Sequence, residues 1–139
     1  MISPAIVPEL ICADIATSLA FYEGIGFRVL FSRPEERFAY LSREGANLML
    51  EQSTGRQFLI GALEHPFGRG MNLQIRTTDV RSLFAIVKMT SAPIMLELEE
   101  KWYARDGDEL GNLQFVVADP DGYLLRFYED LGSRPTRNL

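Results

Sequence analysis

Short apolar runs alternate with polar positions along this chain, and the runs come in the same order twice. Residues 6–13 are apolar-rich and predict a strand. Asp14 stands where a helix N-cap belongs. Ile15, Leu19, Tyr22 and Ile25 recur at helical spacing, and Gly26 ends the run. Strands are expected over 27–32, 38–42 and 46–52, with turns at Pro34-Glu35-Glu36 and at Gly45. A second series starts with a strand at 71–77, a helix at 79–90 and a strand at 94–98. It closes on a hairpin, 112–118 with 123–129, around Asp119-Pro120-Asp121-Gly122. The charged stretch 99–111, with Trp102 and Tyr103 inside it, predicts a loop, and 131–139 a loose tail.

The two series share residues as well as order. Asp14-Ile15-Ala16-Thr17-Ser18-Leu19-Ala20-Phe21 is echoed by Asp79-Val80-Arg81-Ser82-Leu83-Phe84-Ala85-Ile86. Glu44-Gly45-Ala46-Asn47-Leu48-Met49-Leu50 is echoed by Asp121-Gly122-Tyr123-Leu124-Leu125-Arg126-Phe127. Duplicated units usually pair to bury a shared face. The expected fold is α+β: two βαβββ modules forming a curved mixed sheet around a cavity, with the helices on the outer side. One domain, 1–139, would hold module one at about 5–52, a connector at 53–70, module two at about 71–130 and the tail at 131–139. The Gly-rich connector leaves room for a short helical turn, and Phe58, Leu59, Ile60 and Leu63 are expected to anchor it.

Composition narrows the function classes. A chain of 139 residues buries about two-thirds of its unfolded surface and needs no disulfide. The single Cys12 lies in an apolar strand and reads as a small buried hydrophobe. No apolar run is long enough for a membrane span, and no signal peptide is visible, so a cytoplasmic location is expected. A net charge of −5 argues against nucleic acid and is compatible with a cationic ligand.

The duplicated unit, the Asp14 to Phe27 opening and the Asp119 to Phe127 motif resemble the vicinal oxygen chelate superfamily. That group holds glyoxalase I, extradiol dioxygenases, fosfomycin-resistance enzymes and bleomycin-resistance proteins. The resemblance implies four metal-ligand places, which here hold Val7, Met49, Asn72 and Arg126. Val and Met offer no hard donor, and an Arg cation repels a divalent ion. No metal and no cofactor are therefore expected. The chain looks most like the bleomycin-resistance branch, whose members sequester a drug without transforming it. The resemblance also implies a homodimer.

Strand alternation gives a second reading of the same positions. With the ligand places taken as inward, the cavity side carries Val7, Glu9, Ile11, Asn47, Met49, Glu51, Asn72, Gln74, Arg76, Leu124, Arg126 and Tyr128. The helix side carries Leu10, Cys12, Leu48, Leu50, Leu73, Ile75, Leu125 and Phe127. The ligand-binding candidates are Phe38, Tyr40, Met49, Asn72, Gln74, Trp102, Tyr103 and Arg126. Two plainer readings stay open: the inward charges satisfy one another, or the aromatic side chains pack at a sheet edge or a dimer contact. With His65 the only histidine, no nucleophilic triad is expected and no catalytic residue is assigned. Glu9 and Glu51 are a carboxylate pair suited to acid–base work, at a separation that the sequence does not fix. The leading expectation is a non-metal protein binding a cationic or aromatic small molecule. The alternatives are a glyoxalase- or dioxygenase-like enzyme with an atypical metal site or metal-free acid–base chemistry, and an assembly module.

Overall fold

A computed structural model describes residues 3–54 and 57–136. The first copy of the unit gives β1 (Glu9–Cys12), α1 (Ile15–Gly24), β2 (Arg28–Arg33), a single 3-10 turn (Pro34–Glu36), β3 (Phe38–Arg43) and β4 (Ala46–Gln52). The second gives β5 (Asn72–Arg76), α2 (Val80–Lys88), β6 (Ile94–Arg105), β7 (Asp108–Ala118) and β8 (Leu124–Pro135). The fold is α+β with two βαβββ modules, and each module builds its own four-stranded mixed sheet. The strand orders are β1-β4-β3-β2 and β5-β8-β7-β6, and the first strand of each copy pairs in parallel with the last.

Both helices start as the residue pattern requires. Asp14 Oδ1 accepts the Ala16 amide at 3.0 Å, and Asp79 Oδ1 accepts the Ser82 amide at 3.1 Å. The Ser82 hydroxyl also bonds Asp79, which holds that carboxyl below the usual range. After α1 the chain turns through Gly26 at φ 106°, a conformation open to glycine.

The chain divides into two compact units. One is Met1–Gly70 with Asp119–Tyr123, and the other is Met71–Ala118 with Leu124–Leu139. The Asp119–Tyr123 turn therefore belongs to the first unit, where it is a polar core. Asp119 Oδ2 accepts the Tyr22 hydroxyl at 2.6 Å, and its Oδ1 accepts the Asp121 and Tyr123 amides at 2.9 Å each. Asp121 accepts the Ala13 amide and the Ser18 hydroxyl, and the Tyr123 hydroxyl donates to the Ile11 carbonyl. All five of these polar side chains (Ser18, Tyr22, Asp119, Asp121 and Tyr123) are buried. A Cβ at Gly122, whose φ is 93°, would lie 2.4 Å from Pro66 Cβ.

Three expectations fail. Residues 99–111 form a hairpin instead of a loop: Arg105 pairs with Asp108 across a two-residue turn, Asp106-Gly107, both at positive φ. An Asp-Gly pair is a hairpin turn signal, and its charged flanks are simply the exposed faces of two long strands. Residues 131–135 are not loose tail but the end of β8, where Gly132 pairs with Gly111 and Arg134 with Glu109. Residues 137–139 of that tail lie outside the described residues. Phe58, Leu59, Ile60 and Leu63 do not anchor the connector, since all four are exposed. Phe67 does so instead. Its amide donates to the Asp121 carbonyl at 2.7 Å, and its ring meets Tyr123 edge-on. Among the described residues of the connector there is no helical turn.

Candidate functional site

In the first unit, alternation sends Leu10, Cys12, Ala39, Leu41, Leu48 and Leu50 to one face of the sheet, where all are buried. The opposite face carries Glu9, Phe38, Tyr40, Asn47, Met49 and Glu51. Register places them together: Glu9 lies beside Met49, Tyr40 beside Met49, and Phe38 beside Glu51. Ile11, expected on this face, is buried. A cavity of about 520 Å³ opens here, walled by Glu9, Glu35, Glu36 and Glu51 together with Arg33, Phe38 and Met49. The Arg33 guanidinium lies 3.9 Å from the Phe38 ring centroid and donates to Glu36 at 2.6 Å. Phe31 stacks on Tyr40 at 4.8 Å, and the Tyr40 hydroxyl accepts from Asn47 at 3.0 Å. Burial pushes the Glu9 carboxyl up, and the neighbouring, hydrogen-bonded Glu51 adds to that shift. Gln57, at the start of the connector, donates to Glu51 at 3.4 Å and to the Gln52 carbonyl at 3.2 Å.

In the second unit Leu73, Ile75, Leu125 and Phe127 turn to the α2 side, and Ile75, Leu125 and Phe127 are buried. The other face holds a polar network. Arg126, on β8, donates through Nη2 to Gln74 Oε1 at 2.8 Å and through Nη1 to the Tyr103 hydroxyl at 3.4 Å. Gln114 Nε2 donates to that same hydroxyl at 2.7 Å and to Glu99 Oε1 at 3.1 Å. Asn72 pairs with Leu124 at the end of this face.

Phe38, Tyr40 and Met49 thus share one surface, and Asn72, Gln74, Tyr103 and Arg126 share another. Trp102 does not join its neighbour Tyr103. Successive strand residues point to opposite faces, and the indole lies on the reverse side of β6 against Gly111. There it donates to Glu100 at 2.9 Å and is covered by the Arg134 guanidinium at 3.9 Å. The candidate set missed Glu9, Glu51, Arg33 and Gln114. For the two glutamates, alternation had already turned the side chains inward.

The residues at the family's metal places do not fit a divalent ion. Val7 and Met49 bring no hard donor, and Arg126 brings a cation. Among the described residues no group of three or more His, Cys, Asp or Glu side chains is placed to hold a metal. Cys12 is buried with its thiol pushed up to about 11, so it is not a thiolate at neutral pH. No helix among the described residues is long and apolar enough to cross a membrane.

A duplicated βαβββ chain with a polar face on each sheet defines a class: the vicinal oxygen chelate fold. No family model and no curated protein matches the chain. Solved structures do. One, a glyoxalase/bleomycin resistance protein/dioxygenase superfamily member from Vibrio splendidus, is 40% identical, with 89% of this chain and 97% of that one covered and a TM-score of 0.40. The sequence identity, not the superposition, makes the relation, and the chain belongs to that superfamily. The fold is shared with TioX from a Micromonospora species, at 24% identity, 93% and 100% coverage and a TM-score of 0.66. It is shared too with a bleomycin resistance determinant encoded on the transposon Tn5, at 22%, 93% and 99%, and 0.60.

Proposed function

We propose that this protein binds a flat cationic small molecule, without metal, in the cavity on the open face of its first sheet. The carrying observation is Arg33. Its guanidinium lies 3.9 Å from the Phe38 ring centroid and is paired with a glutamate, which is how a planar ligand cation would sit there. Four carboxyls against one guanidinium leave the wall acidic. The bleomycin resistance determinant of the same fold supports a sequestering role, with drug or metabolite as cargo. The working form is a homodimer in the cytoplasm, and light scattering showing only a 15.7 kDa species would refute the dimer.

Aromatic amidines and guanidines, with bleomycin among the cations, should raise the melting temperature, whereas their neutral isosteres should not. Phe38→Ala and Glu51→Gln should each weaken that binding. Equal shifts from cations and neutral isosteres would defeat the reading. A second reading, metal-free acid–base catalysis, is favoured by one observation: the Glu9 carboxyl, raised by burial and by Glu51, is a suitable proton donor and acceptor. It requires that a bound compound be recovered chemically changed.

A further inference from the structure

We propose that the polar face of the second sheet binds a carboxylate, centred on the guanidinium of Arg126. The first ground is an unpaired charge. Among the described residues Arg126 makes no ion pair, and its two hydrogen bonds go to neutral acceptors, Gln74 at 2.8 Å and Tyr103 at 3.4 Å. A guanidinium has five N–H donors. The Nε donor is buried with no partner at all. A buried donor left unmade is costly, so this one calls for an acceptor that the described residues do not supply.

The second ground is Tyr103. Carboxylate Glu99 can only accept, so the Gln114 amide must present its nitrogen there, and that nitrogen also donates to the Tyr103 hydroxyl at 2.7 Å. Arg126 donates to the same oxygen. The hydroxyl is therefore fixed as an acceptor within the protein, and its own proton is free for a ligand oxygen. Guanidinium fork and hydroxyl together offer two converging donor groups on one face. A planar, two-oxygen carboxylate matches that arrangement, while a tetrahedral phosphate would leave oxygens facing no fixed donor. Exposed Arg76, paired in register with Tyr128 on the same face, adds attractive charge.

The test follows the Nε–Hε resonance of Arg126 by NMR in the whole protein, with benzoate, benzamide and inorganic phosphate as probes. Benzoate should move this resonance saturably, and benzamide should not. Arg126→Gln should weaken benzoate binding, read on the Gln114 amide, by about tenfold or more, and Tyr103→Phe by about threefold or more. Arg126→Lys keeps the charge without the fork, and should bind more weakly than the wild type; it serves if the Gln variant fails to fold. Equal shifts from benzoate and benzamide, saturation by phosphate alone, or Arg126→Lys binding as well as wild type would each overturn the proposal. So would movement of the resonance on raising protein concentration without probe, which would put a second copy's side chain there.

Discussion

Tyr22→Phe tests the polar core of the first unit with the loss of a single oxygen. The Tyr22 ring is fully buried, edge-on to Phe21 at 5.0 Å and to Phe27 at 5.4 Å, and both contacts survive the change. What is lost is the 2.6 Å bond to Asp119 Oδ2, in a residue only 3% exposed, where water cannot replace it. A hydrogen bond to a charged group contributes ~1.5–3 kcal/mol, so a loss of about 2 kcal/mol is expected. Against a usual total of ~5–15 kcal/mol the variant should still fold. Burial pushes the Asp119 carboxyl up, and the Tyr22 hydroxyl is the strongest of the contacts that pull it back. Without that hydroxyl the carboxyl rises further. A group raised in the folded state gives stability that is present below its unfolded value and lost as pH climbs through its folded value. That loss is larger in the variant, so the gap from wild type should be widest at neutral pH and should narrow as Asp119 takes up its proton. Urea denaturation of both proteins at neutral pH and at the lowest pH where both remain folded measures it. A gap under ~0.5 kcal/mol at neutral pH, or one that widens in acid, would refute the reasoning.

Other outcomes follow from the same geometry. Gly122→Ala forces a side chain to positive φ and sets its Cβ 2.4 Å from Pro66, so thermal melting should show a loss of at least about 2 kcal/mol. A bound cation favours ionised Glu9, so cation affinity should fall as pH drops through Glu9's raised value. Calorimetry in buffers of different ionisation enthalpy should then show proton release on binding near that pH. Arg33→Ala removes the internal cation over Phe38 and should tighten binding of aromatic cations several-fold; weaker binding would mean that Arg33 builds the site instead of competing for it. Leu125→Ala empties a fully buried place beneath α2's sheet and should cost about 2–5 kcal/mol, read by denaturant unfolding.

Local signals were legible in the sequence because they depend on neighbours a few residues away. The Asp14 and Asp79 caps, the Gly26 stop and the duplicated order each follow from backbone needs within one turn. Alternation likewise separated buried Leu48 and Leu50 from Asn47, Met49 and Glu51, since strand side chains repeat every second residue. What joins distant segments was decided by tertiary structure. Glu9 and Glu51 meet because β1 runs parallel to β4, a pairing that no local periodicity specifies. Asp119 and Asp121 read as turn residues, yet their carboxylates serve Tyr22, Ser18 and Ala13 about a hundred residues earlier in the chain. Trp102 and Tyr103 stand side by side among the ligand-binding candidates in an expected loop, but the segment is strand, and its pleat sends them to opposite faces. Arg126 was visible as a cation in a metal ligand's place. Only the packed sheet showed its Nε buried without an acceptor, because that depends on what each of four strands brings to one face.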